Sequence, residues 1–295
     1  MGSALLRQLR ARGRPAVALT RGAPRDANER HWDAADPDPV LFEGAEAVVH
    51  LAGATIARRW TAATRREIRD SRVGSTRRLV AALARSRRPP RVLVAMSAVG
   101  LYGDRGDELL EESSLPGAGF LAALVRDWEA AAAEGEASGI RVVRLRTGLV
   151  LSAAGGALAA MRPAFQLGLG GALGRGNQWW SWIALADLVT IVERAIDDPS
   201  LAGAINAVAP EPVTAREFAR TLGRVLGRPS VFGVPAPLLR FVLGAMADEL
   251  LLFSQRAVPA RLIERHFAFA FPKLELGLRH ELRCGPKNGA GVEAA

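Results

Sequence analysis

Three short apolar stretches of the sequence end in residues whose side chains or backbone could contact a ligand. These ends are, in chain order, Thr20-Arg21, Leu51-Ala52-Gly53 and Ser97. A hydroxyl or guanidinium group can hydrogen-bond the oxygen atoms of a ligand, and glycine lets the backbone approach a ligand closely. Because strands of a parallel sheet bind ligands at their carboxyl ends, we expect these residues to lie at one edge of such a sheet.

The residues that commonly bind metal ions show no spacing typical of a metal site. The four histidines are His31, His50, His266 and His280, and the single cysteine is Cys284. No two of the histidines have the short separation found in zinc motifs, and one cysteine cannot form a disulfide framework. We therefore expect neither a metal nor a disulfide.

The strand ends belong to a regular alternation of predicted strands and helices in the first half of the chain. Apolar stretches predict strands at 16–20, 47–51, 91–96 and 141–145. Helical periodicity predicts helices at 4–12, 62–85 and 120–137. Short apolar strands separated by helices indicate a parallel sheet covered on both faces, which is an α/β fold.

The second half of the sequence is less regular. We expect a glycine-rich loop that covers a site at 155–177, a helix at 184–196, a strand at 204–208 and a capped helix from Thr214. Proline residues then introduce a helical segment, and a polar, glycine-rich tail follows. The predicted organisation is a first domain at 1–228, a smaller helical domain at 229–282 and a disordered tail at 283–295.

Several motifs, in this order, resemble those of one family. They are Leu51-Ala52-Gly53, the run 71–76, the run 97–103, the run 146–151, the run 178–183 and the run 271–275. The sequence resembles the NAD(P)-dependent epimerase/dehydratase superfamily, the extended short-chain dehydrogenases. Within it, the chain is similar to the epimerase-like branch that carries its own C-terminal domain of unknown function. This resemblance implies a Rossmann-type, doubly wound parallel sheet followed by a smaller, mainly helical C-terminal region.

The resemblance also implies a strand and a glycine-rich turn before the first helix. The printed sequence opens at Gly2, which matches the last glycine of that turn, and the helix follows directly. Either the start is not the true one, so that the chain is a mis-started fragment of the enzyme, or the protein is shortened.

The resemblance implies NADP(H) as the cofactor. Arg21 stands where an acidic residue would bind the ribose hydroxyls of NAD, and a guanidinium there suits the 2′-phosphate of NADP. The positions that the resemblance assigns to cofactor binding are Gly2, Thr20, Arg21, Leu51, Ala52, Gly53, Glu67, Arg72 and Val150.

The usual catalytic pair of the family, Tyr-x-x-x-Lys, is missing. The only tyrosine is Tyr102, both lysines lie near the C-terminus, and Leu121 and Val125 occupy the two positions when the helix is aligned on Glu129. Two candidate catalytic residues remain. Ser97 could bind a substrate oxygen, and Tyr102 could act as the acid if it reaches the nicotinamide.

Two functions therefore stay open. One is an NADP(H)-binding, epimerase-like oxidoreductase that acts on an unknown small substrate, of which nucleotide-linked molecules are one class. The other is a non-catalytic NADP(H)-binding sensor or interaction protein.

The composition of the chain limits the kinds of partner that we expect it to bind. All but two of the 39 basic residues are arginines, which are scattered along the chain without a nucleic-acid motif, although the net charge is +9. Apolar stretches are too short to span a membrane. We therefore expect a cytoplasmic protein that binds neither nucleic acid nor membrane, with a homodimer as one alternative to a monomer.

Overall fold

The centre of the molecule is a parallel sheet of four strands in a computed structural model that describes residues 1–284. The strands lie in the order β10-β6-β4-β3, formed by Gly203–Ala207, Arg141–Thr147, Val92–Ala98 and Ala47–His50. Every neighbouring pair in this sheet is parallel. The predicted α/β fold with a central parallel sheet is therefore confirmed.

Shorter strands form pairs outside this sheet. They are β1 (Ala18–Thr20), β2 (Glu29–His31), β5 (Leu109–Leu110), β7 (Leu149–Leu151), β8 (Trp179–Trp180), β9 (Trp182–Ala184), β11 (Val213–Thr214) and β12 (Arg256–Ala257). The parallel pair β1–β2 is a sheet of its own, and within residues 1–284 no strand pairing joins β1 to β3. The other pairs are β7–β9, β5–β12 and β8–β11.

Helices cover both faces of the sheet. They are α1 (Gly2–Ala11), α2 (Ala62–Arg69), α3 (Ser75–Arg85), α4 (Phe120–Ala133), α5 (Gly156–Gln166), α6 (Leu185–Asp197), α7 (Ala215–Leu226), α8 (Ala236–Leu243), α9 (Ala245–Ala247), α10 (Ala260–Glu264) and α11 (Leu274–Cys284). The single helix predicted at 62–85 is instead two helices, because a π-helical turn at 70–74 separates α2 from α3.

Alternation of side chains along β4 explains the two-sided packing. Leu93 and Ala95 belong to the hydrophobic cluster that includes Leu83 of α3. Val92 and Val94 belong to the cluster on the other face, which includes residues of α4 and α6. Successive side chains of a strand point to opposite faces, so a strand with apolar residues on both faces must be covered on both.

The prediction of a loop throughout 155–177 was wrong. Residues Gly156–Gln166 form α5, which buries Leu158 and Phe165 in a hydrophobic cluster with Leu151 and Phe218. Glycines before and after this apolar run made the segment resemble a loop. These glycines instead flank the helix, and Gly168, with a φ of 73°, is the second residue after it.

The C-terminal helices pack against the rest of the molecule. Met246 and Leu262 are buried in the main cluster with residues of the central sheet. Leu274 and Leu278 of α11 pack with Phe218 of α7. Helix α11 continues through Cys284, beyond the predicted end at 282. The predicted disordered tail lies outside the described residues from position 285 onward.

The part of the chain that the structure describes contains no helix long and apolar enough to cross a membrane.

Candidate functional site

The turn 51–54 at the carboxyl end of β3 lies beside the N-terminus of α1. A Cβ atom on Gly2 would lie 3.7 Å from Cδ1 of Leu51, which is an ordinary contact. The structure therefore brings Gly2 and Leu51 together, although packing would also admit a larger residue at position 2. The first N–H groups of a helix have no partner inside the helix, so this end carries partial positive charge.

Arg72 is held against the same turn by the π-helical segment 70–74. Its guanidinium donates a hydrogen bond to the carbonyl oxygen of Ala54 at 3.0 Å and lies over the ring of Trp128 at 5.4 Å. A Cβ atom on Gly53 would lie 3.1 Å from the Arg72 guanidinium carbon, so glycine allows this close approach. Ser71 supports the turn, because its hydroxyl accepts a hydrogen bond from the Ala54 N–H at 3.0 Å.

Among the residues that the structure describes, no carboxylate balances the charge of Arg72. Burial lowers the pKa of Arg72, and within residues 1–284 no Asp or Glu forms an ion pair with it. Removing a charge from water without a counter-ion is costly. A partly buried cation beside a helix N-terminus therefore fits an anionic group such as a pyrophosphate.

Thr20 and Arg21 lie where the sequence placed them, at the end of β1. The Thr20 hydroxyl donates to the carbonyl oxygen of Gly22 at 3.1 Å. The Arg21 side chain is exposed directly after the strand. Its position leaves the guanidinium accessible to a ligand at this edge of the molecule.

Glu67 is exposed on α2 and forms an ion pair with Arg58 at 2.5 Å. The next residue, Ile68, is buried. The assignment of Glu67 to cofactor binding stays a prediction.

Ser97 is buried and points away from open solvent. Its hydroxyl donates to Oε1 of Glu129 at 2.6 Å, and its side chain is 2% exposed. Glu129 also forms a double hydrogen bond with Arg146, at 2.8 Å and 2.9 Å. The next residue on β4, Ala98, is only partly buried and carries no polar side chain.

Tyr102 is also part of this polar cluster, and the prediction that it acts as an acid is not supported by its geometry. The ring is fully buried. Its hydroxyl donates to Asn206 Oδ1 at 2.7 Å and accepts from Arg146 at 3.0 Å. Burial is the main cause that raises the pKa of Tyr102. Asn206 and Arg146, which are distant from Tyr102 in the sequence, therefore hold this hydroxyl inside the protein.

Helix α4 has apolar residues at the positions of the missing catalytic pair. Leu121 and Val125 are both buried in the structure. The N-terminus of α4 is instead capped by Glu249, whose carboxylate accepts hydrogen bonds from the N–H groups of Phe120 at 3.0 Å and Leu121 at 2.7 Å. The sequence contained no signal for this contact, because 129 positions separate Glu249 from Phe120.

Val150 lies on β7, which pairs in parallel with β9. Val150 faces Ile183 in the register and is half-buried against the main cluster. Gly148 makes this pairing close, since a Cβ atom there would lie 2.3 Å from the carbonyl oxygen of Ser181. The segment that contains Val150, one of the positions that the resemblance assigns to cofactor binding, is thus a short strand that follows β6 in the chain.

Among residues 1–284, the structure contains no group of three His, Cys, Asp or Glu side chains that could hold a metal ion.

Two family models match the chain. The model of the NAD dependent epimerase/dehydratase family matches residues 1–207, and a domain of unknown function, DUF1731, matches residues 234–281. The chain is 43% identical over 272 residues to epimerase family protein MT2273 of Mycobacterium tuberculosis, covering 91% of this chain and 90% of that protein.

Two solved structures are also similar. Human epimerase family protein SDR39U1 (isoform 2) with NADPH has a TM-score of 0.87 and 31% identity, with 96% of each chain covered. A nucleoside-diphosphate sugar epimerase from Corynebacterium glutamicum has a TM-score of 0.80 and 38% identity, with 95% of this chain and 55% of that chain covered.

Proposed function

The chain belongs to the NAD dependent epimerase/dehydratase family, and from this premise we propose that it is an NADP(H)-binding oxidoreductase of the epimerase type. One observation carries the proposal. The N-terminus of α1 and the guanidinium of Arg72, which has no carboxylate partner within residues 1–284, meet at the turn 51–54. Two positive groups at one turn suit the pyrophosphate of a dinucleotide. The similar human protein crystallised with NADPH supports the same cofactor.

Different residues would bind different parts of the cofactor. Arg72 and the helix N-terminus would hold the pyrophosphate, which NADPH and NADH share, whereas Arg21 would hold the 2′-phosphate, which only NADPH carries. Gly53 admits the guanidinium and the ligand to the same turn. Bound NADPH would supply a hydride to a carbonyl substrate, and the oxidised cofactor would accept one in the reverse direction. Val150 would contact the nicotinamide end of the cofactor.

We propose that the proton is exchanged with a group other than Tyr102, because the Tyr102 ring is buried and its hydroxyl donates to Asn206. This observation favours a second candidate function, in which the protein binds NADP(H) as a sensor without turnover. Incubating the protein with NADPH and a panel of carbonyl compounds and sugar nucleotides separates the two functions. Oxidation of NADPH by any member of the panel removes the sensor hypothesis.

A calorimetric titration with NADPH and NADH tests cofactor binding. We expect the chain to prefer NADPH. Substitution Arg21→Ala should weaken NADPH binding by about 10-fold, the loss of one charge-assisted hydrogen bond, and leave NADH binding unchanged. Arg25→Ala removes an exposed arginine from the same loop and serves as the control. Failure to bind either nucleotide, or equal affinity for both, would refute the proposal.

A further inference from the structure

The turn 51–54 continues into a short loop, residues 55–61, that ends where α2 begins. The N–H of Arg58 donates a hydrogen bond to the carbonyl oxygen of Ile56 at 2.9 Å. The indole of Trp60 is buried, and its Nε1 donates to the same carbonyl oxygen at 3.0 Å. These contacts hold the loop in one conformation, so its side chains have defined positions.

The loop connects the proposed cofactor turn with the N-terminus of α4. The ring of Trp60 packs edge-on against the ring of Phe120, with centroids 5.0 Å apart. Phe120 is the first residue of α4. The next residue, Leu121, occupies one of the two positions of the missing catalytic pair. The loop therefore runs from the proposed pyrophosphate site to the start of the helix on which the family carries its catalytic pair.

Arg65 of α2 lies over both of these aromatic rings. Its guanidinium carbon is 5.1 Å from the ring centroid of Phe120 and 5.9 Å from that of Trp60. Aromatic faces attract a cation. A guanidinium that stacks on a ring keeps its N–H groups at its edge, so it can still donate hydrogen bonds to a ligand. The two rings therefore fix the position of the Arg65 charge.

In the part of the chain that the structure describes, no carboxylate neutralises Arg65. No Asp or Glu forms an ion pair with it, and its buried Nε has no hydrogen-bond partner. Two nearby arginines differ in this respect, since Arg58 pairs with Glu67 at 2.5 Å and Arg69 pairs with Asp127 at 2.6 Å. Because a half-buried cation without a counter-ion is costly, the surroundings of Arg65 fit an anionic ligand.

Arg59 supplies a second guanidinium to the loop. It directly precedes Trp60, is exposed, and forms no ion pair with any residue that the structure describes. Residues 55–69 contain five arginines and only one acidic residue, Glu67. The segment is therefore positively charged and attracts anions. Arginine binds carboxylate and phosphate groups through paired hydrogen bonds, so both of these groups suit the loop.

We propose that Arg59 and Arg65 bind an anionic group of the substrate, a carboxylate or a phosphate. This site is separate from the cofactor phosphates, which we assign to Arg72 and Arg21. The inference rests on the proposed function, because it assumes a substrate, but anion binding is measured without turnover. A substrate held by its anionic group at the start of α4 would be positioned beside the cofactor rather than in its place.

Calorimetric titration of the complete, NADPH-saturated chain with inorganic phosphate and with succinate tests the proposal, because NADPH then occupies the cofactor site. We expect at least one of the two anions to bind, and the stronger of them identifies the substrate group. Arg65→Gln should weaken this binding by about 10-fold and Arg59→Gln by roughly 3-fold, and neither should change NADPH affinity. Arg85→Gln removes the same charge from the exposed end of α3 and should have no effect.

Three results would overturn the proposal. One is that neither anion binds to the NADPH-saturated chain. Another is that Arg65→Gln, with the unfolding temperature of the parent chain, binds the anion as tightly as the parent does. The third is weaker NADPH binding by Arg65→Gln, since Arg65 would then be a cofactor ligand. If Arg65→Gln does not fold, Arg59→Gln decides, because the Arg59 side chain is exposed.

Failure of the proposed function gives a different result. A chain that does not bind NADPH refutes that function, and the anion site is then tested by titrating phosphate into the chain without NADPH. Weaker phosphate binding by Arg65→Gln and unchanged binding by Arg72→Gln would support the site. The reverse pattern would place the anion at the turn 51–54 and overturn the proposal.

Discussion

Arg72 and Arg21 are both arginines beside the proposed cofactor, but the structure gives them different surroundings. Arg72 is partly buried against Trp128, and Arg21 is exposed after β1. A group that holds the pyrophosphate affects NADPH and NADH alike, whereas a group that holds the 2′-phosphate affects only NADPH. The two cofactors can therefore separate the roles of these two residues.

We predict that Arg72→Gln weakens the binding of NADPH and NADH to a similar extent, roughly 10- to 100-fold, the effect of losing a charged hydrogen bond. Isothermal titration of both nucleotides measures it. Arg66→Gln changes an exposed arginine on α2 and should have no effect. If Arg72 only packs on Trp128, its substitution will lower the unfolding temperature without changing either affinity, and the predicted role in binding would be wrong.

His50 provides a prediction about pH. It is 3% exposed, stacks on Trp32 with ring centroids 5.9 Å apart, and its Nε2 has no hydrogen-bond partner within residues 1–284. Burial lowers the pKa of His50 to about 4. The unfolded chain therefore binds a proton at His50 more readily than the folded chain does, so folding stability falls as the pH drops from the unfolded pKa near 6.5 towards 4.

Between pH 7 and pH 5 this histidine should cost about 2 kcal/mol of unfolding free energy. Replacement by phenylalanine (His50→Phe) keeps a ring against Trp32 and removes the titration, so the loss between the two pH values should shrink by that amount. Urea denaturation at both pH values measures it. His31→Gln removes an exposed histidine and should leave the pH dependence unchanged. An unaltered pH dependence in His50→Phe would contradict the prediction.

At the scale of elements, a buried polar cluster connects β4, α4, β6 and β10. Glu129 of α4 accepts from Ser97 on β4 and from Arg146 on β6, and Arg146 in turn donates to Tyr102, which donates to Asn206 on β10. Burial opposes the charge of Arg146, but the hydrogen bonds and negative charge of Glu129 raise its pKa overall. The charges of Glu129 and Arg146 therefore stabilise each other inside the protein.

Breaking this pair from one side should be strongly destabilising. We predict that Glu129→Leu lowers the unfolding free energy by roughly 3–5 kcal/mol, because it leaves a buried guanidinium without its counter-ion. The double variant Glu129→Leu/Arg146→Met should recover much of that loss, since apolar replacements of a buried pair are often tolerated. Urea denaturation of the two variants measures both effects. A double variant less stable than Glu129→Leu would show that Arg146 acts mainly through its other partners.

The same cluster shows which parts of the site the sequence could predict. Strand ends were predictable, because the apolar stretches before Arg21, Gly53 and Ser97 set the strands locally. The environment of Tyr102 was not, because its partner Asn206 lies 104 positions away and only the sheet order brings the two together. Helix α5 was not predicted, because the glycines on either side of it in the sequence favoured a loop.

At the scale of the whole molecule, the predicted boundary at 228 does not separate two hydrophobic cores. Met246 and Leu262 lie in the same cluster as residues of the central sheet. The carbonyl oxygen of Val258 accepts from Asn206 Nδ2 at 2.9 Å, and Glu249 caps α4. The apolar side chains of the C-terminal segment thus pack against the first part of the chain, and its polar groups hydrogen-bond to that part. The segment alone would therefore have few stabilising contacts.

We therefore predict that the C-terminal segment and α4 open as one cooperative unit. In native-state hydrogen exchange, peptides from 120–133 and 245–264 should show similar free energies of opening. Glu249→Ala should lower both by about 1 kcal/mol, the typical value of a lost helix cap, because the contact belongs to both segments. Glu264→Ala removes an exposed carboxylate from α10 and should change neither. If the 245–264 peptides open much more readily than α4, or if Glu249→Ala affects only one of the two segments, then the C-terminal segment is an independent unit that merely rests on the first part of the chain.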